Sequence, residues 1–156
     1  MSVFVDTSAL YALLDRDDAN HARARATWLE LRHRREPLLT HNYVLVETVA
    51  LVQRRLGLEA VRALRDALLP LVTVVWVDEA LHERALAATI ASGRRGVSLV
   101  DRVSFEVVRL HVCRAAFAFD EDFAAMGIAT LGPDAHAGGG GLANAGNHDD
   151  SGPAPR

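Results

Sequence analysis

The chain begins with Val3-Phe4-Val5-Asp6-Thr7-Ser8-Ala9-Leu10, a stretch whose pattern recurs further along the sequence. Its short apolar run predicts a buried strand, an acidic residue ends that strand, and helix-forming sequence follows. The same order returns at Ala115-Ala116-Phe117-Ala118-Phe119-Asp120. Short strands that alternate with longer helices predict an α/β fold, in which a central, mostly parallel sheet lies between two helical layers as an α/β/α sandwich.

The predicted elements follow this alternation along the chain. We expect strands at Val3–Val5, Leu38–Thr40, Val72–Val77, Ala115–Phe119 and Ile128–Leu131. We expect helices at Ser8–Arg16, His21–Arg34, Asn42–Leu56, Leu58–Leu69, Asp78–Ala91 and Leu99–Val112. Gly57 and Pro70 are the expected ends of the third and fourth helices, because glycine favours helix ends and proline cannot continue a helix.

Length and composition indicate one soluble domain, since half of the 156 residues are hydrophobic. No apolar run approaches the ~20 residues that cross a bilayer. The N-terminus lacks a signal segment and Cys113 has no second cysteine to pair with, so we expect a cytoplasmic protein. Glycine, alanine and polar residues dominate from Pro133 onward, which predicts a folded domain over residues 1–132 and a disordered tail over residues 133–156.

Four acidic residues lie in core-forming sequence: Asp6, Glu47, Asp101 and Asp120. The aspartates have a plain structural explanation, because Asp6 and Asp120 can cap the following elements and Ser98 with Asp101 has capping-box spacing. Glu47 lies mid-helix among apolar neighbours, with no basic residue within one turn. Unless it lies on a solvent-facing stripe, we expect it to be buried with a partner from elsewhere in the fold.

The predicted topology can bring these carboxylates together. In an open parallel sheet, ligands collect beyond the carboxyl ends of the strands, where the strand order reverses. Asp6 and Asp120 follow predicted strands, and Asp101 lies at a helix start that can face the same edge. Four close carboxylates repel one another unless a hard cation neutralises them, which favours Mg²⁺ or Mn²⁺.

Four segments carry a family resemblance: Val5-Asp6-Thr7-Ser8-Ala9-Leu10, Glu47 in its apolar helix, Ser98-Leu99-Val100-Asp101-Arg102-Val103-Ser104-Phe105, and Phe119-Asp120-Glu121-Asp122-Phe123. In this order they resemble the PIN-domain ribonucleases, and most closely the VapC-type toxins of bacterial toxin–antitoxin pairs. The resemblance runs from the N-terminus to about Leu131. It implies a PIN-like α/β/α fold and Mg²⁺-dependent cleavage of RNA through a metal-activated water, with Mn²⁺ able to substitute.

The resemblance also implies roles for single residues. Asp6, Asp101 and Asp120 match the metal ligands, and Glu47 matches a residue that supports metal binding or activates water. Asp122 matches a position that is often acidic, although a solvated turn residue is an equal explanation. Two hydroxyl residues match positions beside the site, although capping explains both of them: Thr7 and Ser98.

Arginines near the site are candidate RNA contacts, because the guanidinium group suits phosphate. Arg94 and Arg95 lie between two glycines in the loop before the Asp101 helix, and Arg102 follows Asp101. The alternative for this loop is simple solvation. We interpret Trp28 and Trp76 as packing residues rather than as platforms for bases.

The resemblance implies an RNA substrate, a small antitoxin protein that binds the early helices, and a homodimer. Five residues of these helices could supply the partner surface, although core burial explains most of them: Leu10, Leu13, Leu14, Trp28 and Leu31. A PIN-like module that binds RNA or protein without cutting is the main alternative. A phosphohydrolase with Asp6 as nucleophile is a third, but such enzymes place an aspartate two residues later, where this chain has Ser8.

Overall fold

A five-stranded parallel sheet forms the middle layer of the computed structural model, which describes residues 1–132. Its strands are β1 (Val3–Val5), β2 (Leu38–His41), β3 (Thr73–Val75), β4 (Ala115–Phe117) and β5 (Thr130–Leu131). Their order across the sheet is β3-β2-β1-β4-β5, and every neighbouring pair is parallel. The predicted α/β fold with a parallel sheet is confirmed.

Seven α-helices flank the sheet within residues 1–132: α1 (Thr7–Leu14), α2 (His21–His33), α3 (Asn42–Leu56), α4 (Leu58–Ala63), α5 (Glu79–Ser92), α6 (Leu99–Leu110) and α7 (Asp122–Ala125). α3 ends at Leu56, directly before Gly57, as predicted, and the φ of 86° at Gly57 suits glycine. α5 begins after Asp78, whose Oδ1 accepts a hydrogen bond from Leu81 N at 2.8 Å. The three-layer α/β/α arrangement agrees with the prediction.

The predicted single helix Leu58–Leu69 is wrong. α4 ends at Ala63, and the chain continues through a π-helical turn (Leu64–Leu68) and a 3-10 turn (Leu69–Leu71). Pro70 lies in the 3-10 turn and has no N–H to donate, so a regular α-helix cannot continue through it. The segment remains packed on the domain because the side chain of Leu64 is fully buried.

The third strand is shorter and more exposed than its sequence indicates. β3 covers Thr73–Val75 rather than Val72–Val77, lies at the edge of the sheet and exposes Thr73. A β-branched run indicates a strand but does not distinguish an edge strand from a central one. Trp76, just beyond β3, is 75% exposed, so its predicted packing is wrong, whereas Trp28 is buried as predicted.

The strand order reverses between β1 and β4, in the middle of the sheet. β1 is fully buried and pairs with β2 on one side and with β4 on the other. Asp6 N, just beyond β1, donates to Phe117 O at the end of β4 at 3.1 Å. The carboxyl ends of β1 and β4 are therefore adjacent, at the switch point where α/β folds place their ligands.

Phenylalanine side chains pack beneath this edge. Phe105 of α6 and Phe123 of α7 meet edge to face with ring centroids 5.4 Å apart, and Phe4 of β1 lies 5.8 Å from Phe123. All three rings are buried. The cluster ties β1, α6 and α7 together and so supports the segments that carry the acidic residues.

The predicted disordered tail, residues 133–156, lies outside the described residues. No helix among residues 1–132 combines the length and the hydropathy that a membrane span requires.

Candidate active site

Asp6 follows β1 and caps α1. Its side chain is almost fully buried, and Oδ2 accepts hydrogen bonds from Ser8 N at 3.0 Å and from Ser8 Oγ at 2.7 Å. Burial raises the pKa of Asp6, the Ser8 hydrogen bonds oppose that rise, and the negative charge of Asp101 adds to it. The capping explanation is therefore correct, and the same carboxylate also lies at the switch point of the sheet.

Ser8 is a positioning residue that the sequence did not reveal. Its hydroxyl donates to Asp6 Oδ2 and accepts from Phe119 N at 3.0 Å. Because Phe119 directly precedes Asp120, one hydroxyl connects the chain after β1 to the chain after β4. The only signal in the sequence is a hydroxyl residue two positions after a strand-ending aspartate, which also describes an ordinary cap.

Glu47 lies on α3 and is exposed, so the solvent-facing alternative that the sequence left open holds rather than burial. Its Oε2 accepts from Thr7 Oγ1 at 2.9 Å, and Thr7 Oγ1 accepts from the buried Thr48 Oγ1 at 3.1 Å. Partial removal from water raises the pKa of Glu47, Thr7 lowers it, and the charges of Asp6 and Asp101 raise it further. Its apolar neighbours one turn away include the buried Val44 and the exposed Ala50, so this side of α3 is only partly covered. The partner comes from elsewhere in the fold, as expected.

Asp101 forms the predicted capping box with Ser98 at the start of α6. Ser98 N and Ser98 Oγ each donate to Asp101 Oδ2 at 2.8 Å, and Asp101 N donates to Ser98 Oγ at 3.1 Å. The charge of Asp101 contributes to the raised pKa values of Asp6, Glu47 and Asp120. A cap in the local structure is thus also part of the acidic cluster.

Asp120 lies in the loop between β4 and α7. Partial burial, together with the negative charges of Asp6, Asp101, Asp122 and Glu47, raises the pKa of Asp120 to about 7. Each of these carboxylates is close enough to act on Asp120. The structure therefore brings the four predicted acids into one electrostatically coupled cluster, with Asp122 beside them.

The family model of the PIN domain matches residues 3–129. The chain belongs to the PIN-domain family. Every strand and helix except β5 (Thr130–Leu131) falls within the matched residues, and so do the four acids.

Relatives place this PIN domain in the VapC branch and confirm the predicted resemblance. The 23S rRNA-specific endonuclease VapC20 of Mycobacterium tuberculosis, from two strains, is 37% identical over 135 residues, which cover 85% of this chain and 99% of the relative. The crystal structure of that sarcin-ricin loop cleaving toxin matches with a TM-score of 0.72 at 37% identity, covering 81% of this chain and 96% of the other. FitAcB from Neisseria gonorrhoeae matches with a TM-score of 0.59 at 18% identity, covering 83% and 96%, and shares the fold.

The PIN domain has the donor chemistry for a hard cation, because carboxylate oxygens suit Mg²⁺ and Mn²⁺. The raised pKa values of Asp6, Glu47 and Asp120 reflect in part a mutual repulsion that a cation would relieve. In residues 1–132, no group of three or more His, Cys, Asp or Glu side chains is arranged to hold a metal ion. Asp101, for example, directs Oδ2 to the backbone and hydroxyl of Ser98.

The candidate RNA contacts of the PIN domain differ in their surroundings. Arg94 and Arg95 are exposed in the loop between α5 and α6, which agrees with either phosphate binding or solvation. Arg102 is half-buried, and its Nε has no hydrogen-bond partner in the part of the chain that the structure describes. Buried donors without a partner are uncommon in folded proteins.

Proposed function

We propose that this chain is a metal-dependent endoribonuclease that acts as the toxin of a toxin–antitoxin pair. The observation that carries the proposal is the coupling of Asp6, Glu47, Asp101 and Asp120 at the switch point of a PIN domain. The identity with VapC20 supports 23S rRNA, and its sarcin-ricin loop, as the first substrate to test.

In this proposal, Asp6, Asp101 and Asp120 hold Mg²⁺, or Mn²⁺ in its place. When bound, such a cation supplies Lewis-acid stabilisation of the phosphate charge and lowers the pKa of water in its coordination shell. The donor set fits this role because it consists of negative oxygens whose repulsion already raises the pKa of Asp120. Asp122 adds negative charge at the rim of the same cluster.

Glu47 takes the proton of the attacking water. Its Oε2 is held by the Thr7 hydroxyl, so we assign proton acceptance to Oε1. The raised pKa of Glu47 makes it a stronger base than an ordinary glutamate. In-line attack of that water on phosphorus then expels the 3′-oxygen of the preceding nucleotide, which takes a proton from solvent. The products are a 5′-phosphate and a 3′-hydroxyl. Ser8 and Ser98 act through the aspartates that they bind.

Three arginines hold the RNA backbone in this proposal: Arg94, Arg95 and Arg102. Exposure of the first two lets them reach a phosphate, and Arg102 follows Asp101 directly on α6. These contacts increase affinity without reading the sequence of the RNA.

A cleft in the early helices is the proposed binding site of the antitoxin. It has a volume of about 690 Å³, with Leu13, Leu14 and Trp28 among its apolar lining and Arg16 and Arg25 among its basic residues. An amphipathic helix with acidic flanks would suit this surface. Three of the five residues considered for the partner surface are buried, as core packing explains: Leu10, Trp28 and Leu31. Of these, only Trp28 also lines the cleft.

The homodimer remains a prediction, and an exposed apolar face on α3 offers the surface on which to test it. Val46 is 70% exposed and lies beside Leu45, Val49 and Ala50. Light scattering of the purified parent and of Val46→Glu gives the test. A dimer that Val46→Glu converts to a monomer supports this surface, and a monomeric parent contradicts the dimer.

The experiment that tests the proposed function is cleavage of purified ribosomes and of a sarcin-ricin loop hairpin, with the ends of the products identified. We expect one major cut in 23S rRNA in the presence of Mg²⁺, with 5′-phosphate and 3′-hydroxyl ends. Products with a 2′,3′-cyclic phosphate would contradict the water-attack mechanism. Tight RNA binding without cleavage by a folded, metal-loaded protein would favour the non-cutting module instead.

A further inference from the structure

His41 ends β2 and is completely buried, yet both of its ring nitrogens have partners. Nδ1 accepts a hydrogen bond from Val44 N at 3.3 Å, which caps the start of α3. An accepting Nδ1 carries no proton, so the neutral ring has its proton on Nε2. Nε2 therefore donates to Ser104 Oγ, which lies 2.9 Å away.

Ser104 completes a chain of hydrogen bonds with a fixed direction. Its hydroxyl accepts from His41 and donates to Val100 O at 2.9 Å, within α6. Ser104 is also fully buried. One imidazole thus joins the first turn of α3 to the middle of α6, and every polar atom of this connection is satisfied.

The two helices that His41 joins carry two of the four acids. Val44, whose N–H the imidazole accepts, lies three residues before Glu47 on α3. Ser104 lies three residues after Asp101 on α6, about one helical turn away. A shift of either helix along this hydrogen-bonded connection would move its acid relative to the other.

We propose that His41 is a positioning residue that fixes α3 against α6 and thereby sets the placement of Glu47 relative to Asp101. The inference rests on the proposed nuclease function, because it concerns the geometry of that site. It adds a residue that lies outside the acidic cluster and does not touch the substrate.

Packing alone does not account for a histidine at this position. The ring lies 5.6 Å from Phe4 and 6.1 Å from Tyr43, surroundings that an apolar aromatic side chain would also fill. Burial lowers the pKa of His41 to about 4, so the ring is neutral near pH 7 and contributes hydrogen bonds rather than charge. Shorter residues such as Ser or Asn are the usual helix caps. The imidazole differs from them because its second nitrogen also reaches Ser104.

Ser104→Ala is the test variant because it removes the connection with the least disturbance. Alanine has a higher helix propensity than serine, so α6 itself is not weakened. The matched control is Tyr43→Phe. It removes the 2.7 Å hydrogen bond between Tyr43 Oη and His82 Nδ1, which joins α3 to α5, a helix that carries none of the four acids.

The experiment measures Mn²⁺ affinity by isothermal titration calorimetry and kcat and KM for hairpin cleavage on the full chain. Misplacement by about 1 Å can cost about a hundredfold in rate. We expect Ser104→Ala to lower kcat at least about tenfold with KM nearly unchanged, and to weaken Mn²⁺ binding. Tyr43→Phe should stay within about twofold of the parent in all three quantities.

The outcomes separate this inference from the function on which it rests. If the parent binds Mn²⁺ and cuts RNA, and Ser104→Ala matches the parent or Tyr43→Phe in Mn²⁺ affinity, kcat and KM, only the positioning role is overturned. A parent that neither binds Mn²⁺ nor cuts overturns the nuclease proposal, and the positioning role with it. His41→Asn, which can keep the cap but not the contact with Ser104, should reproduce the defect of Ser104→Ala.

Discussion

Replacing Asp120 by asparagine should stabilise the metal-free protein at alkaline pH. The pKa of Asp120 is raised from 3.8 to about 7 by partial burial and by the surrounding carboxylates. A difference of about three pKa units corresponds to about 4 kcal/mol at 1.36 kcal/mol per unit. Because Asp120 is only partly buried, solvent screening reduces the expected gain for Asp120→Asn to about 1 kcal/mol.

The pH dependence of this gain has a defined sign. Because the folded-state pKa of Asp120 is raised, the folded state loses stability as the pH rises from 3.8 through about 7. The gain in free energy of unfolding of Asp120→Asn over the parent should therefore be complete above about pH 7 and should vanish below about pH 4. Added Mg²⁺ should reverse the order at high pH, because the variant lacks one of the proposed ligands.

Urea unfolding in EDTA at several pH values measures this difference. Glu121→Gln is the matched control, since it removes a negative charge from an exposed neighbour outside the four acids. We expect Glu121→Gln to change the free energy of unfolding by less than about 0.5 kcal/mol. If Asp120→Asn is no more stable than the parent at high pH, or if Glu121→Gln gains as much, the coupling of the carboxylates is refuted.

Three further predictions follow from the same geometry. Ser8→Ala should lower the free energy of unfolding in urea by about 2 kcal/mol, because Phe119 N loses its acceptor, whereas a loss below about 0.5 kcal/mol would contradict the link. Because the pKa of His41 is lowered, the free energy of unfolding falls as the pH drops from 6.5 to about 4. His41→Gln should reduce this fall by up to about 3 kcal/mol, and the same pH dependence of unfolding in parent and variant would refute the role of His41. Arg94→Ala/Arg95→Ala should reduce the slope of log affinity against log salt concentration by about 1.4, measured by fluorescence anisotropy of uncleaved RNA. An unchanged slope would indicate a solvated loop.

The sequence was sufficient to predict that the candidate acids meet at one edge of the sheet, because these residues follow simple topological rules. Asp6 and Asp120 each come after a short apolar strand, and parallel strands bring their carboxyl ends to one edge. The helix starting at Leu99 placed Asp101 in its first turn, where a capping box is visible from spacing alone. Local pattern and chain direction together therefore predicted three of the four acids.

Glu47 was predicted as a site residue, but its surroundings were not. An apolar neighbourhood in sequence suggested burial, whereas Glu47 is exposed and its carboxylate accepts a hydrogen bond from the buried Thr7. When apolar residues occur on several faces of a helix, helical periodicity does not determine whether one particular side chain faces the core or the solvent. The exposed Trp76 is a similar case, because edge and central strands share the same residue preferences.

The positioning contacts could not be predicted because they join distant parts of the chain. Ser8 and Phe119 are 111 residues apart, and His41 and Ser104 are 63 residues apart. Each contact depends on how the strands are ordered and how the helices pack, and hydroxyl and imidazole groups have many alternative partners in a sequence. Knowledge of the sheet order is required before either pair becomes visible.

The most direct test of the central claim is cleavage of a structured RNA by the purified, partner-free protein in Mg²⁺, Mn²⁺ or EDTA. The parent would be compared with Asp6→Asn and Glu47→Gln. We predict cutting that requires the metal and that both substitutions abolish while each variant stays folded. Cutting in EDTA, or cutting that survives both substitutions, would show that these carboxylates are not the catalytic site.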